Sequence, residues 1–167
     1  MLKNEKIVLG IVRGLEEKSE HPLARAMVEY ITEQHIPAIE PLSFKAEFGK
    51  GIIGRTKGKS YAIGNALLME ERTISLRSWE KEMHALEKQG KTVIAIAEGK
   101  TILGMIAIAD VPRPTAKSTV TALRAKGIEV WMMTGDNERT ANAIAQQLGI
   151  LHVFAQVLPE QKAERIK

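Results

Sequence analysis

At 167 residues the chain has room for one domain or two small ones. Hydrophobic residues make up 44% and charged residues 26%, enough apolar material to bury a core, which excludes disorder as a description of the whole. Cysteine is absent, which removes disulfide frameworks, thiol catalysis and Cys-based metal sites.

The net charge is +4, but the basic residues are interleaved with glutamates, as in Glu70-Glu71-Arg72, and aromatic content is only 4%. A nucleic-acid binder needs a basic stripe and stacking platforms, so nucleic acid is not an expected partner. The longest apolar run, Ile102 to Ala109, falls far short of the ~20 residues a membrane span needs. No basic-then-apolar leader opens the chain. Aspartate is scarce, with Asp110 and Asp136 its only occurrences.

Between residues 4 and 18, Ile7, Val8, Ile11, Val12 and Leu15 recur at the spacing of one helical face, with Asn4 placed to cap it. Pro22 opens a second helix to about Gln34 that buries Leu23, Ala26, Met27, Tyr30 and Ile31. Strand patterns follow over Ile39–Phe48, Ile52–Thr56 and Ser60–Ile63. Helices are expected over Asn65–Glu71 and Ser78–Gln89, the latter stopped by Gly90. Thr92–Ala97 and Thr101–Ala109, joined by Glu98-Gly99-Lys100, read as a hairpin. This first stretch predicts an α+β domain, an antiparallel sheet with flanking helices.

After Asp110 helix and strand alternate. The pattern runs through helix Pro114–Lys126, strand Ile128–Met133, helix Asn137–Leu148, strand Val153–Ala155 and a helix over Pro159–Lys167. Such an order predicts parallel β-α-β units with ligands at the carboxyl ends of the strands. Val111-Pro112-Arg113-Pro114 stiffens the chain between the two patterns, which places one domain at 1–109 and part of an α/β domain at 110–167. Trp79 and Trp131 are expected to pack internally, and His35, His84 and His152 to serve as surface or filler residues.

Four segments carry candidate chemistry. In Glu16-Glu17-Lys18-Ser19-Glu20-His21-Pro22, Pro22 puts His21 at a helix N-terminus, where the helix dipole disfavours imidazolium. A neutral ring there can meet a purine while Glu16 or Glu17 accepts from an exocyclic amine; the competing reading is an exposed capping segment. Gly49-Lys50-Gly51-Ile52-Ile53-Gly54 is a formal G-x-G-x-x-G that lies between strands instead of opening a helix. Its glycines either admit a ligand close to backbone amides or simply make a turn or bulge. Thr134-Gly135-Asp136-Asn137 follows an apolar strand, where a Thr hydroxyl and amides can hold a phosphoryl oxygen and Asp136 can help place a metal-bound nucleotide. Alternatively Asp136 or Asn137 caps the next helix. Leu158-Pro159-Glu160-Gln161-Lys162 aims Lys162 toward the same edge as a fixed positive charge, against the ordinary reading of an exposed lysine.

In this order, these segments resemble the cytoplasmic ATP-hydrolysing head of a P-type ATPase of the heavy-metal-transporting class. The pieces are Ser19-Glu20-His21-Pro22-Leu23-Ala24, Gly49-Lys50-Gly51, Ile63-Gly64-Asn65, Asp110-Val111-Pro112-Arg113, Thr134-Gly135-Asp136-Asn137 and Leu158-Pro159-Glu160-Gln161-Lys162. The resemblance implies a nucleotide-binding domain inserted in a haloacid-dehalogenase-like phosphorylation domain. It implies that Glu16, His21, Gly49, Gly51 and Asn65 bind ATP, with Glu16 preferred over Glu17 by its spacing from His21. Asp110 matches the hinge acid, and Thr134, Asp136 and Lys162 match groups around the transferred phosphate.

The family's phosphorylated aspartate stands in Asp-Lys-Thr-Gly-Thr and its magnesium site in Gly-Asp-Gly-x-Asn-Asp, neither of which occurs here. The expectation is therefore a portion of a pump on the cytoplasmic face of a membrane, binding ATP without forming a phosphoenzyme itself. Magnesium, the catalytic aspartate, the actuator and the transmembrane part belong to the intact pump. Copper export is the expected transport, with zinc, cadmium or lead as alternatives. The rival classes are a stand-alone dehalogenase-type phosphatase and a non-catalytic nucleotide-binding module.

Overall fold

The computed structural model describes residues 5–109 and 111–157. They fall into two compact units, each discontinuous in sequence. The first comprises residues up to Glu80 together with Val93–Ile108; the second comprises Lys81–Thr92 and the residues from Ala109 onward.

In the first unit, helices α1 (Glu5–Glu16) and α2 (Pro22–Glu33) precede three strands, β1 (Ser43–Glu47), β2 (Gly51–Thr56) and β3 (Lys59–Gly64). A short helix α3 (Ala66–Glu71) follows, and the chain later adds β4 (Lys91–Glu98) and β5 (Thr101–Ala109). The strands form one sheet in the order β1-β2-β3-β4-β5, antiparallel from β1 through β4. Alternation sends Ile52, Tyr61, Ile63, Ile94 and Ile96 toward α1 and α2, where Ile11, Val12, Leu15, Met27 and Ile31 meet them. The opposite face of β3 and β4 is sealed by Leu68, Met69 and Ile74 against Ala62, Ala95 and Ala97.

In the second unit lie α4 (Glu80–Glu87), most of which belongs here, α5 (Ala116–Ala125), β6 (Trp131–Met133), α6 (Glu138–Leu148) and β7 (His152–Phe154). β6 and β7 pair in parallel, Met132 opposite Val153, with α6 as their crossover. The antiparallel first part and the β-α-β second part are the fold class the periodicity predicts.

Several expectations need correction. The first strand is shorter than Ile39–Phe48 because the backbone before it has other partners: the Ile39 N–H donates to the Gly10 carbonyl at 2.8 Å, and Thr56 Oγ1 donates to the Glu40 carbonyl. Helix α2 buries Ala24, Met27 and Ile31, while Ala26 is exposed and Tyr30 is 57% exposed. The strand expected over Ile128–Met133 starts at Trp131, because Ile128 completes the preceding helix stop: its N–H reaches back to the Leu123 carbonyl around Gly127, which lies at φ 76°. Trp131 is half exposed, stacked on His152 at 4.2 Å and on Phe154 at 5.2 Å. Asn4, Asp110 and the helix expected over Pro159–Lys167 lie outside the described residues.

Candidate functional site

Glu16 is the last residue of α1, the helix that packs on the sheet through Leu15. Leu15 rests against Gly54, where an added Cβ would collide with its Cδ2, so this end of the helix is fixed to β2. Glu16 is thereby drawn out of water to 6% exposure, and burial pushes its carboxyl up to about 7. Among the described residues that carboxyl has no hydrogen bond or ion pair. The neighbouring Glu17 is different, since its carboxylate accepts from Arg13 Nε at 2.8 Å.

His21 stands at the N-cap of α2, ahead of Pro22. Its Nδ1 accepts the Leu23 N–H at 3.2 Å, which places the ring proton on Nε2 and leaves that donor on an exposed side chain. The capping reading is thus realised without consuming the ring's outward edge.

The glycines and Asn65 come together at the other end of β2. Asn65 caps α3, its Oδ1 accepting the Leu68 N–H at 3.1 Å, while its Nδ2 donates to the Gly49 carbonyl at 2.9 Å. The Asn65 N–H donates to the Lys50 carbonyl at 2.9 Å. Gly51 faces Gly64 across the β2–β3 ladder, so closely that a Cβ on Gly51 would run into the Ile63 carbonyl. Gly51 also sits at φ 141°, a backbone conformation that suits glycine. Gly49, Gly51 and Asn65 are thus one cluster, and Glu16 stands at another place, the end of α1. No hydrogen bond joins the two among the described residues; β2 does, since Gly54 under Leu15 is three residues, about 10 Å, from Gly51.

A groove of about 470 Å³ in the first unit lies elsewhere, lined by Lys45, Ile53, Arg55, Arg72 and Lys100 among others. Three of its lining cations are already engaged: Lys45 and Arg72 both pair with Glu47, and Lys100 donates to the Arg72 carbonyl and to Thr73. It contains none of the residues singled out for nucleotide.

The second cluster lies at the carboxyl end of β6. Thr134 Oγ1 donates to Asp136 Oδ2 at 2.7 Å and accepts the Asp136 N–H at 3.2 Å. The loop is tied to the segment after β7, with the Gln156 N–H on the Asp136 carbonyl and the Val157 N–H on the Thr134 carbonyl. Capping of α6 falls to Asn137, whose Oδ1 accepts the Thr140 N–H at 3.0 Å, so Asp136 is not the cap. Its other oxygen, Oδ1, accepts from Thr92 Oγ1 at 2.9 Å. Thr92 is the residue that sequence reasoning missed, and no local pattern marks a partner 44 positions away. Lys162 lies outside the described residues. Among the described residues there is no group of three or more His, Asp or Glu side chains that could hold a metal ion.

A Thr-Gly-Asp loop at a strand end in a parallel β-α-β unit belongs to a recognisable class. The chain is a member of the haloacid dehalogenase-like hydrolase family, whose model matches residues 2–167. It is 40% identical over 95% of its length to a copper-exporting P-type ATPase of Staphylococcus saprophyticus, of which it covers 20%. The chain therefore spans about a fifth of the length of the curated relatives it matches. Among solved structures, the catalytic domain of the CPx-ATPase CopB-B superposes over 96% of this chain and 55% of that one, with a TM-score of 0.72 and 25% identity. A zinc-transporting PIB-type ATPase in the E2.Pi state matches over 98% of this chain and 26% of that one, with a TM-score of 0.63 and 29% identity. In sequence and fold the chain is similar to the catalytic region of heavy-metal P-type ATPases.

Proposed function

We propose that this chain is the ATP-binding cytoplasmic portion of a heavy-metal P-type ATPase, with the nucleotide domain at 1–109 and part of the phosphorylation domain at 110–167. Glu16, His21, Gly49, Gly51 and Asn65 hold the nucleotide. Thr134, Asp136 and Lys162 stand on the phosphate side. The observation that carries this reading is Glu16, a residue 6% exposed whose carboxyl has no hydrogen bond or ion pair among the described residues and is not sealed from solvent; five positions on, at the N-cap of α2, His21 has an uncommitted Nε2–H. A carboxyl that burial pushes up to about 7 gains from a donor, and the exocyclic amine and ring nitrogen of adenine supply partners for the Glu16 carboxyl and the His21 Nε2–H.

The chain binds ATP and does not form a phosphoenzyme by itself, since neither Asp110 nor Asp136 stands in the family's nucleophile motif. In the intact pump a catalytic aspartate, magnesium, the actuator and the transmembrane part complete the cycle at the cytoplasmic face. Copper is the proposed cargo, on the likeness to the Staphylococcus saprophyticus exporter, and zinc the second reading, on the likeness to the zinc-transporting structure.

An amide-shift titration tests the nucleotide assignment. ATP should perturb the signals around Glu16–Leu23 and Gly49–Asn65, with GTP much weaker, and His21→Gln should weaken ATP binding roughly tenfold with the fold retained. Equal responses to ATP and GTP, or an unchanged affinity in His21→Gln, would overturn the base-recognition role. Release of phosphate from a chromogenic ester would instead favour a stand-alone phosphatase.

A further inference from the structure

The hydroxyl of Thr134 carries one proton, and it is committed to Asp136 Oδ2 at 2.7 Å. A phosphoryl oxygen arriving at this loop brings acceptors only, so it competes with Asp136 for that proton. Should the Thr134 hydroxyl turn to the phosphoryl group, Oδ2 of a half-buried carboxylate loses its donor. The second donor on Asp136 is Thr92 Oγ1, at 2.9 Å on Oδ1, and it is independent of Thr134. Thr92 is itself held in place through the preceding peptide. The Lys91 carbonyl accepts the Thr140 hydroxyl at 2.8 Å, and Thr140, 1% exposed, is in turn bonded to Asn137 through its N–H and its Oγ1. Lys91-Thr92 is thus stapled to the first turn of α6 on one side and to the Thr134–Asp136 loop on the other.

We propose that Thr92 is a positioning residue of the phosphate-side loop, its hydroxyl keeping Asp136 hydrogen-bonded and aligned when the Thr134 hydroxyl is released to a phosphoryl oxygen. This rests on the reading of that loop as a phosphate site. Without Thr92, Asp136 has one side-chain donor left and competes harder for the proton that the phosphoryl group needs. Thr92 is also the last residue of the second unit before the chain enters the first at Val93.

The test titrates inorganic phosphate, at constant ionic strength, into the whole chain and into Thr92→Val and Thr92→Ser, following the amides of Thr134, Gly135 and Asp136 by NMR. Valine has Thr92's shape and suits a strand, so the fold is expected to survive its introduction. Thr92→Val should raise the phosphate midpoint about tenfold, Thr92→Ser should restore it, and the ATP-induced shifts around His21 should be unchanged in both. A Thr92→Val midpoint within about twofold of the parent's overturns the proposal and leaves the phosphate reading standing. No response of the loop to phosphate in the parent chain overturns that reading and the proposal together. If Thr92→Val loses the folded spectrum, Thr92→Ala is judged by the same midpoints.

Discussion

The carboxyl of Glu16 ionises in the unfolded chain near its ordinary 4.5, but in the folded protein burial holds it up to about 7. Between those two values the folded state keeps a proton that the unfolded state has lost. Stability therefore declines as pH rises through that window; the full cost is present above it, and none is felt below 4.5. Replacing Glu16 with Gln should abolish this slope and raise stability at mildly alkaline pH by up to about 3 kcal/mol, measured by urea denaturation across the window. The same substitution should weaken ATP binding, the trade expected of a residue kept for function. A parent chain whose stability stays level through the window would refute the assignment. The capping place of His21 was legible in the sequence because Pro22 fixes a helix start. The sequence could not say which glutamate is out of water; that depends on Leu15 meeting Gly54, a contact made only by the packed sheet. Thr92 was illegible for a similar reason, its partner being distant in sequence.

At the scale of elements, the turn from β1 to β2 and the start of α3 share one construction in which two backbones run almost in contact. Gly51→Ala would drive a methyl into the Ile63 carbonyl and to 2.5 Å from the Gly64 Cα, and at φ 141° the backbone has no easy adjustment. At Gly58, in the β2–β3 turn with φ 78°, an added methyl would meet nothing within 4 Å. Denaturation of the two variants should therefore separate cleanly, Gly58→Ala costing about 1 kcal/mol and Gly51→Ala at least roughly 3 kcal/mol or the fold. Equal costs would show that the close approach at Gly51 is not what the geometry says. Element types were readable from periodicity and stop signals, and the helices over 22–33 and 138–148 fall within a residue or two of expectation. Where the reading overran, the Ile39 N–H was already taken by α1 and the Ile128 N–H by the stop after α5. Apolar alternation reports burial, and it cannot report which neighbour claims an N–H.

Across the whole molecule, burial is uneven. The first unit closes two apolar clusters over both faces of its sheet. In the second, the buried apolar side chains among the described residues are Met83, Val120, Ala141, Ile144, Ala145 and Val157. Amides of β3 and β4 should thus outlast those of α5 and β6 in hydrogen exchange by orders of magnitude, and equal protection would refute a weaker second unit. The change from antiparallel to β-α-β architecture was visible in the order of patterns, whereas the return of Lys81–Thr92 to the second unit was not, because it depends on contacts such as Thr140 with Lys91. The two indoles are divided between the units: Trp79 belongs to the first, and Trp131, lying on its imidazole and phenyl neighbours, to the second. Each half of the protein consequently carries its own fluorophore, and with Trp131 or Trp79 exchanged for Phe, light emitted by a single sample reports on one half at a time.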